Sequence, residues 1–180
     1  MEDNLGISEH VWHGSALLWH ESMGASVVNI KNVHERFTGI KIRVDGHSLL
    51  AISAYLPTSG KDDEYLDCLC QLSNFITDNT SVHDTVLIGT DANCSDKSTS
   101  RRLNSLEKFC MDHSLLKMKM SEPTFHHSNG VSSSNIDFFL ISDNISTRLS
   151  NGSPSVTCCT HRTFPAMTHS LLHYLYSHLK

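Results

Sequence analysis

Nowhere in these 180 residues does an apolar run approach the length needed to cross a bilayer. The opening Met1-Glu2-Asp3-Asn4-Leu5-Gly6 is polar and acidic, without the apolar stretch of a secretory signal. No membrane partner is expected, and the expected compartment is intracellular, nuclear or cytoplasmic. Cys-x-x-Cys spacing is absent from the six cysteines (Cys68, Cys70, Cys94, Cys110, Cys158, Cys159), which argues against a zinc site and for reduced thiols. A basic excess is also missing. Lys and Arg number 14 against 19 Asp and Glu, a net charge of −5, which argues against a strongly basic clamp on nucleic acid. It does not exclude a nuclease, because a metal site lined with carboxylates is itself acidic. With 39% hydrophobic and 18% charged residues the chain is globular, and its length makes one compact domain the default.

What is present reads as mixed strands and helices. Gly14 to Trp19 is a short apolar run of strand character. From Gly39 to Val44, Ile40, Ile42 and Val44 alternate with Lys41 and Arg43, the pattern of a half-exposed strand. The turn Asp45-Gly46 and the buried-type run Ser48 to Tyr55 complete a hairpin. Asp62 or Asp63 can cap a helix carrying Leu66, Leu69, Leu72, Phe75 and Ile76 at close to helical spacing. Thr85 to Gly89 is a buried strand. Ser98 or Thr99 is placed to cap a second helix through Leu103, Leu106, Phe109 and Cys110. Asn135 to Ser142 is a further strand, with Ile136, Phe138 and Leu140 on one face and Asp137, Phe139 and Ile141 on the other. The fold class is therefore α/β (α+β) and layered. Ser128 to Ser134 is a polar loop, and beyond Ser150 the periodicity is lost. The chain divides into a domain over 1–150 and an atypical tail over 151–180, within which Ser170 to Lys180 could form a small amphipathic helix.

Candidate chemistry gathers where apolar runs stop. The strand Thr85 to Gly89 delivers Asp91 and Asn93 into the following loop, where a rigid sheet below would hold them for chemistry. The bland alternative is an ordinary turn, since Gly, Asp and Asn dominate turns. Tyr55 precedes the stop at Pro57 and could equally be a packing tyrosine with its hydroxyl at the rim. Asp137 lies in an apolar strand, is costly to bury unpaired, and could be a structural carboxylate bonded to backbone amides. His126 and His127 are adjacent, so in an extended segment they point oppositely and read as loop histidines rather than a metal pair. Trp12 and Trp19 read as packing residues. His10, His13 and His20 read as solvated or core-edge residues.

Four stretches in order, Ala51 to Pro57, Ile88 to Asn93, Pro123 to His126 and Ser134 to Ser142, resemble the endonuclease/exonuclease/phosphatase superfamily with the DNase-I-like fold. The variant most similar in look is the endonuclease domain attached to reverse transcriptases of non-LTR retrotransposons, matched from about Gly14 to Ser142. The resemblance implies a four-layer α/β sandwich and Mg²⁺-assisted in-line hydrolysis of a phosphodiester, with DNA as the nucleic-acid partner. It implies that Asp91 orients or deprotonates the attacking water and that Asn93 holds the scissile phosphate. Tyr55 would contact the phosphate, and Asp137 would orient a catalytic histidine.

The chain departs from the family pattern in two places. The family's first strands carry an Asn and a metal-binding Glu well before the Gly14 strand, and Glu9 lies too close to that strand to be the glutamate. The expectation is an N-terminally truncated domain whose first strands are missing, and no residue is assigned as metal ligand. The family closes on Ser/Asp-His, whereas His161 and His169 stand in other contexts. Codons for Pro165 to Ser170, read two bases later, can give Ser/Cys-His-Asp-Pro-Leu, which suggests a tail out of frame. The expected function is thus a family domain whose hydrolysis is weak or absent in this chain. The alternative is a non-catalytic remnant or binding module derived from a mobile-element endonuclease. Oligomeric state is left open.

Overall fold

The structure, a computed structural model, describes residues 5–7, 15–20, 26–30, 34–44, 47–94, 100–118, 123–127 and 131–143. Within them the strands are β1 (Leu5–Ile7), β2 (Leu18–His20), β3 (Val27–Asn29), β4 (Phe37–Val44), β5 (His47–Tyr55), β6 (Thr85–Asp91), β7 (Leu115–Lys117), β8 (Phe125–His126), β9 (Ser133–Ser134) and β10 (Asp137–Ser142). The helices are α1 (Asp62–Asn79) and α2 (Arg101–Asp112). A six-stranded sheet runs in the order β3-β4-β5-β6-β10-β7, flanked by two-stranded pairs β1-β2 and β8-β9.

The expected hairpin is present: β4 and β5 pair antiparallel from Phe37↔Ala54 to Val44↔His47. The turn residues Asp45 and Gly46 lie outside the described residues. Every neighbour in the large sheet is antiparallel except β5 and β6, which are parallel. Parallel neighbours cannot be joined by a tight turn, so α1 serves as the crossover between them.

The pleat sorts side chains onto two faces. Leu50, Ile52, Ala54, Val86, Ile88, Phe138 and Leu140 meet Leu69, Leu72 and Ile76 of α1 and Leu106 and Phe109 of α2. The opposite face carries Ile40, Ile42, Leu49, Ala51, Leu87, Phe139 and Ile141, covered by Leu17 with Trp19, Val27 and Met118 packed against it. Trp19 is thus a packing residue, as expected, and β10 distributes its side chains as its alternation predicts. Two glycines fit the close approach of rings: a Cβ on Gly39 would lie 2.8 Å from the Phe75 ring, and one on Gly89 would lie 3.1 Å from Phe139.

Several local expectations are corrected. The run from Gly14 yields a strand only from Leu18 to His20, with Ser15 to Leu17 irregular. Neither Asp62 nor Asp63 caps α1. The cap position is Lys61, without a side-chain cap bond, while Asp62, Asp63 and Glu64 occupy the first turn, where negative charge complements the helix dipole. The cap of α2 is Ser100, rather than Ser98 or Thr99, and its hydroxyl accepts from Leu103 N at 3.2 Å. The last strand starts at Asp137 rather than Asn135, and part of the polar loop pairs as β9 against β8.

Cys68, Cys70, Cys94 and Cys110 form no disulfide among the described residues, and burial pushes Cys68 and Cys110 up to about 11. Among the described residues no helix is long and apolar enough to cross a membrane. Glu9, His10, Trp12, His13, Cys158, Cys159, His161, His169 and the whole of 151–180 lie outside the described residues.

Candidate active site

Because β5 and β6 are parallel, their C-terminal ends reach the same edge of the sheet, the usual place for a ligand crevice in an open α/β sheet. Tyr55 is the last residue of β5, Asp91 the last of β6, and the two are register partners. Strand β10 runs the other way and starts at that edge, so Asp137 pairs with Asp91 from the other side. Tyr55, Asp91 and Asp137 thus form one row across three strands, on the face opposite the helices. The ladder continues past the row: Leu56 N donates to Asp91 O at 2.9 Å, and Ala92 N donates to Ile136 O at 2.7 Å.

The loop after β6 is a turn as well as a candidate site. Asp91 Oδ1 accepts from Asn93 N at 3.0 Å, closing an Asx turn, and Asn93 takes the left-handed φ of 46° that asparagine tolerates. The Asn93 side chain does not hang free. Its Nδ2 donates to Leu56 O at 2.8 Å, which ties the loop to the end of β5 and leaves the second N–H of the amide for another acceptor.

Both carboxyls of the row are half-buried, and both resist ionisation. Burial pushes Asp91 up to about 6; the Asn93 N–H opposes this and the nearby Asp137 charge adds to it. Burial also raises Asp137, against the pull of the Thr124 hydroxyl. Thr124 does more than titrate its neighbour. Its Oγ1 accepts from Ile136 N and Asp137 N, each at 3.1 Å, fixing the start of β10. The Pro123-Thr124-Phe125 stretch stood out in the sequence, but nothing there assigned the threonine this task.

Two arginines went unread. The Arg36 carbonyl accepts from Tyr55 N at 2.8 Å, and its guanidinium lies 6.0 Å from the Tyr55 ring centroid. Arg102 is only 7% exposed, and its fork bonds Asp62 Oδ1, Pro57 O (3.0 Å) and Thr58 O (2.6 Å). The available signal was its spacing with Leu106 and Phe109, which places it on the buried stripe of α2.

The structure does not bring His126 and His127 into a donor group. Both are exposed, with the Phe125 and His127 rings edge-on at 4.9 Å. Among the described residues no three His, Cys, Asp or Glu side chains gather as metal ligands, and no histidine is hydrogen-bonded to Asp137. A Mg²⁺ ion takes hard oxygen donors, commonly one or two carboxylates completed by water and substrate phosphate. Asp91 and Asp137 have that chemistry, and a cation beside them would offset the charge that burial disfavours. The donor set fits the ion.

A family model described as Endonuclease-reverse transcriptase matches residues 49–164. Comparison with curated proteins found no match. Among solved structures, the endonuclease domain of TRAS1, a telomere-specific non-LTR retrotransposon, is similar at 14% identity and a TM-score of 0.57, covering 80% of this chain and 68% of that one. A beta toxin mutant from Staphylococcus aureus with bound magnesium ions matches at 14% identity and a TM-score of 0.45, over 61% of this chain and 43% of that one. An endonuclease/exonuclease/phosphatase family protein from Leptotrichia buccalis matches at 12% and 0.44, over 58% and 40%. This chain therefore spans about two thirds of the TRAS1 domain and less than half of the other two. The TRAS1 likeness shows the expected DNase-I-like α/β fold.

Proposed function

From the premise that this chain belongs to the endonuclease–reverse transcriptase family, we propose that the Tyr55–Asp91–Asp137 edge binds a phosphodiester of DNA and hydrolyses it slowly. The observation that carries this reading is the row itself, with a carboxyl near pH 6 at its centre. Asp91, deprotonated at neutral pH, accepts the proton of the attacking water; a base with a pKa near the working pH combines availability with proton affinity. Asn93 presents its remaining amide N–H to a phosphate oxygen while Leu56 holds the other. Tyr55 lies beside Asp91 as the neighbouring phosphate contact. Asp137, with no described histidine bonded to it, is the carboxylate that would hold Mg²⁺. When bound, that ion supplies neutralisation of charge on the phosphate oxygens.

A second reading is a domain that keeps the scaffold and binds phosphate without cutting. It is favoured by the sparse donor set, since no third acid, cysteine or histidine joins the two aspartates among the described residues. Nicking of supercoiled plasmid with and without Mg²⁺ separates the two, with Asp91→Ala as control. Slow Mg²⁺-dependent nicking, reduced roughly a hundredfold or more in Asp91→Ala, supports the enzyme. Plasmid left intact by both proteins supports the binding module.

A further inference from the structure

We infer that Arg102 is a positioning residue for the Asn93 amide, acting through the Leu56-Pro57-Thr58 strap; this rests on the phosphate-holding role proposed above for Asn93. The strap leaves the end of β5. At its near end the Leu56 backbone grips Asp91 and Asn93, donating N–H to Asp91 O at 2.9 Å and accepting from Asn93 Nδ2 at 2.8 Å. At its far end the next two carbonyls, Pro57 O and Thr58 O, receive Arg102 Nη1 and Nη2. Three consecutive peptides therefore join the guanidinium on α2 to the amide at the site.

Burial of a cation is costly unless its donors are met. Arg102 meets the cost with three bonds in one plane, the third to Asp62 at the start of α1, and with the Tyr65 ring 4.9 Å from its guanidinium carbon. The planar fork fixes the spacing of two successive carbonyls, which a lysine, a point charge with freely rotating donors, cannot do. Asn93 needs such a fixed acceptor. Among the described residues its left-handed backbone is held by the Asp91 carboxylate and its side chain by the Leu56 carbonyl. If Leu56 O drifts, the amide loses the bond that sets which way its free N–H points.

A merely structural Arg102 would hold α1, α2 and the strap together and lower stability when removed, leaving the Asn93 amide in place. The test uses the full chain with Arg102→Met, which keeps the apolar stem, with Arg102→Lys, with Asn93→Ala and with the Arg102→Met/Asn93→Ala pair. Two readouts are taken well below each thermal midpoint. The first is the Asn93 side-chain amide pair in ¹⁵N–¹H spectra. The second is affinity for a labelled duplex DNA oligonucleotide in Mg²⁺.

The expected result is that Arg102→Met shifts or broadens the Asn93 amide pair and weakens DNA binding roughly tenfold. It should add nothing to Asn93→Ala, and Arg102→Lys should recover part of the loss. A folded Arg102→Met with unmoved Asn93 amide signals overturns the inference, as do losses that multiply with those of Asn93→Ala. If Arg102→Met does not fold, Arg102→Lys carries the same two readouts against the same criteria. If the unsubstituted chain binds no duplex, the phosphate-holding role falls, while the amide signals still decide whether Arg102 positions Asn93.

Discussion

At neutral pH the ionised Asp91 carboxylate is a cost to the folded state. Its carboxyl is raised by burial first and by Asp137 second, so the folded chain holds that proton more tightly than the unfolded chain, where an aspartate titrates near ~3.9. The sign follows: its contribution to stability is full below that unfolded value and is lost as pH rises through about 6. Asp91→Asn keeps an oxygen to accept the Asn93 N–H and removes the disfavoured charge. We expect its thermal midpoint at pH 7.5 to exceed that of the unsubstituted chain by about 2–4 °C, with the gap closing by pH 4.5. Scanning calorimetry across that range checks it. Any nicking should rise as Asp91 loses its proton, at a lower pH in Mg²⁺ because the cation favours the carboxylate, and should vanish in Asp91→Asn.

Tyr55, Asp91, Asn93 and Asp137 could be named as candidates from their order and the family resemblance, the first three standing where an apolar run ends and Asp137 within one. Their juxtaposition in a row was not written locally, because it depends on which strands become neighbours. Thr124 and Arg102 were illegible for the same reason. Each acts through bonds to backbone groups far along the chain, and no nearby pattern announces a partner that distance.

Among the elements, β6 carries a close steric constraint. Gly89 pairs across to Phe139, whose ring would meet an added Cβ at 3.1 Å. Gly89→Ala should cost about 1–2 kcal/mol, because the ring must give within a packed face. Phe139→Leu in the same chain should recover part of the loss in urea unfolding; an alanine that costs nothing would mean the ring moves freely. The helices show how far elements can be read from sequence. Their apolar stripes placed both correctly. Their starts were misjudged because the acids near α1 serve other partners, Asp62 being taken by Arg102, and because Ser100 lies one residue beyond the expected caps.

Across the whole molecule, the crossover from β5 through α1 to β6 is locked from below by Lys41 of β4. Its ammonium bonds Asp84 Oδ2 at 2.7 Å and Asn79 O at 3.0 Å, at the end of α1 and the approach to β6. Burial pushes Asp84 up, but Lys41 and the Ser81 N–H outweigh it and hold the carboxyl below its ordinary value. Its stabilising share is therefore present at neutral pH and lost as pH falls through the acid range. Lys41→Met would leave a largely buried carboxylate without its cation. A loss of about 2–4 kcal/mol is expected in denaturant unfolding at pH 7, shrinking at pH 3. A loss equal at both pH values would assign the effect to packing instead.

The lone parallel pair in the sheet also sets when the site can exist. A chain that has closed only the β4–β5 hairpin owns Tyr55 but neither aspartate of the row, because Asp91 arrives only after α1 has docked and carried the chain back. Local contacts form quickly, and closures across long loops follow. The Tyr55–Asp91–Asp137 row is thus withheld from the nascent chain until its topology is complete, and a half-folded molecule has no assembled candidate site to present.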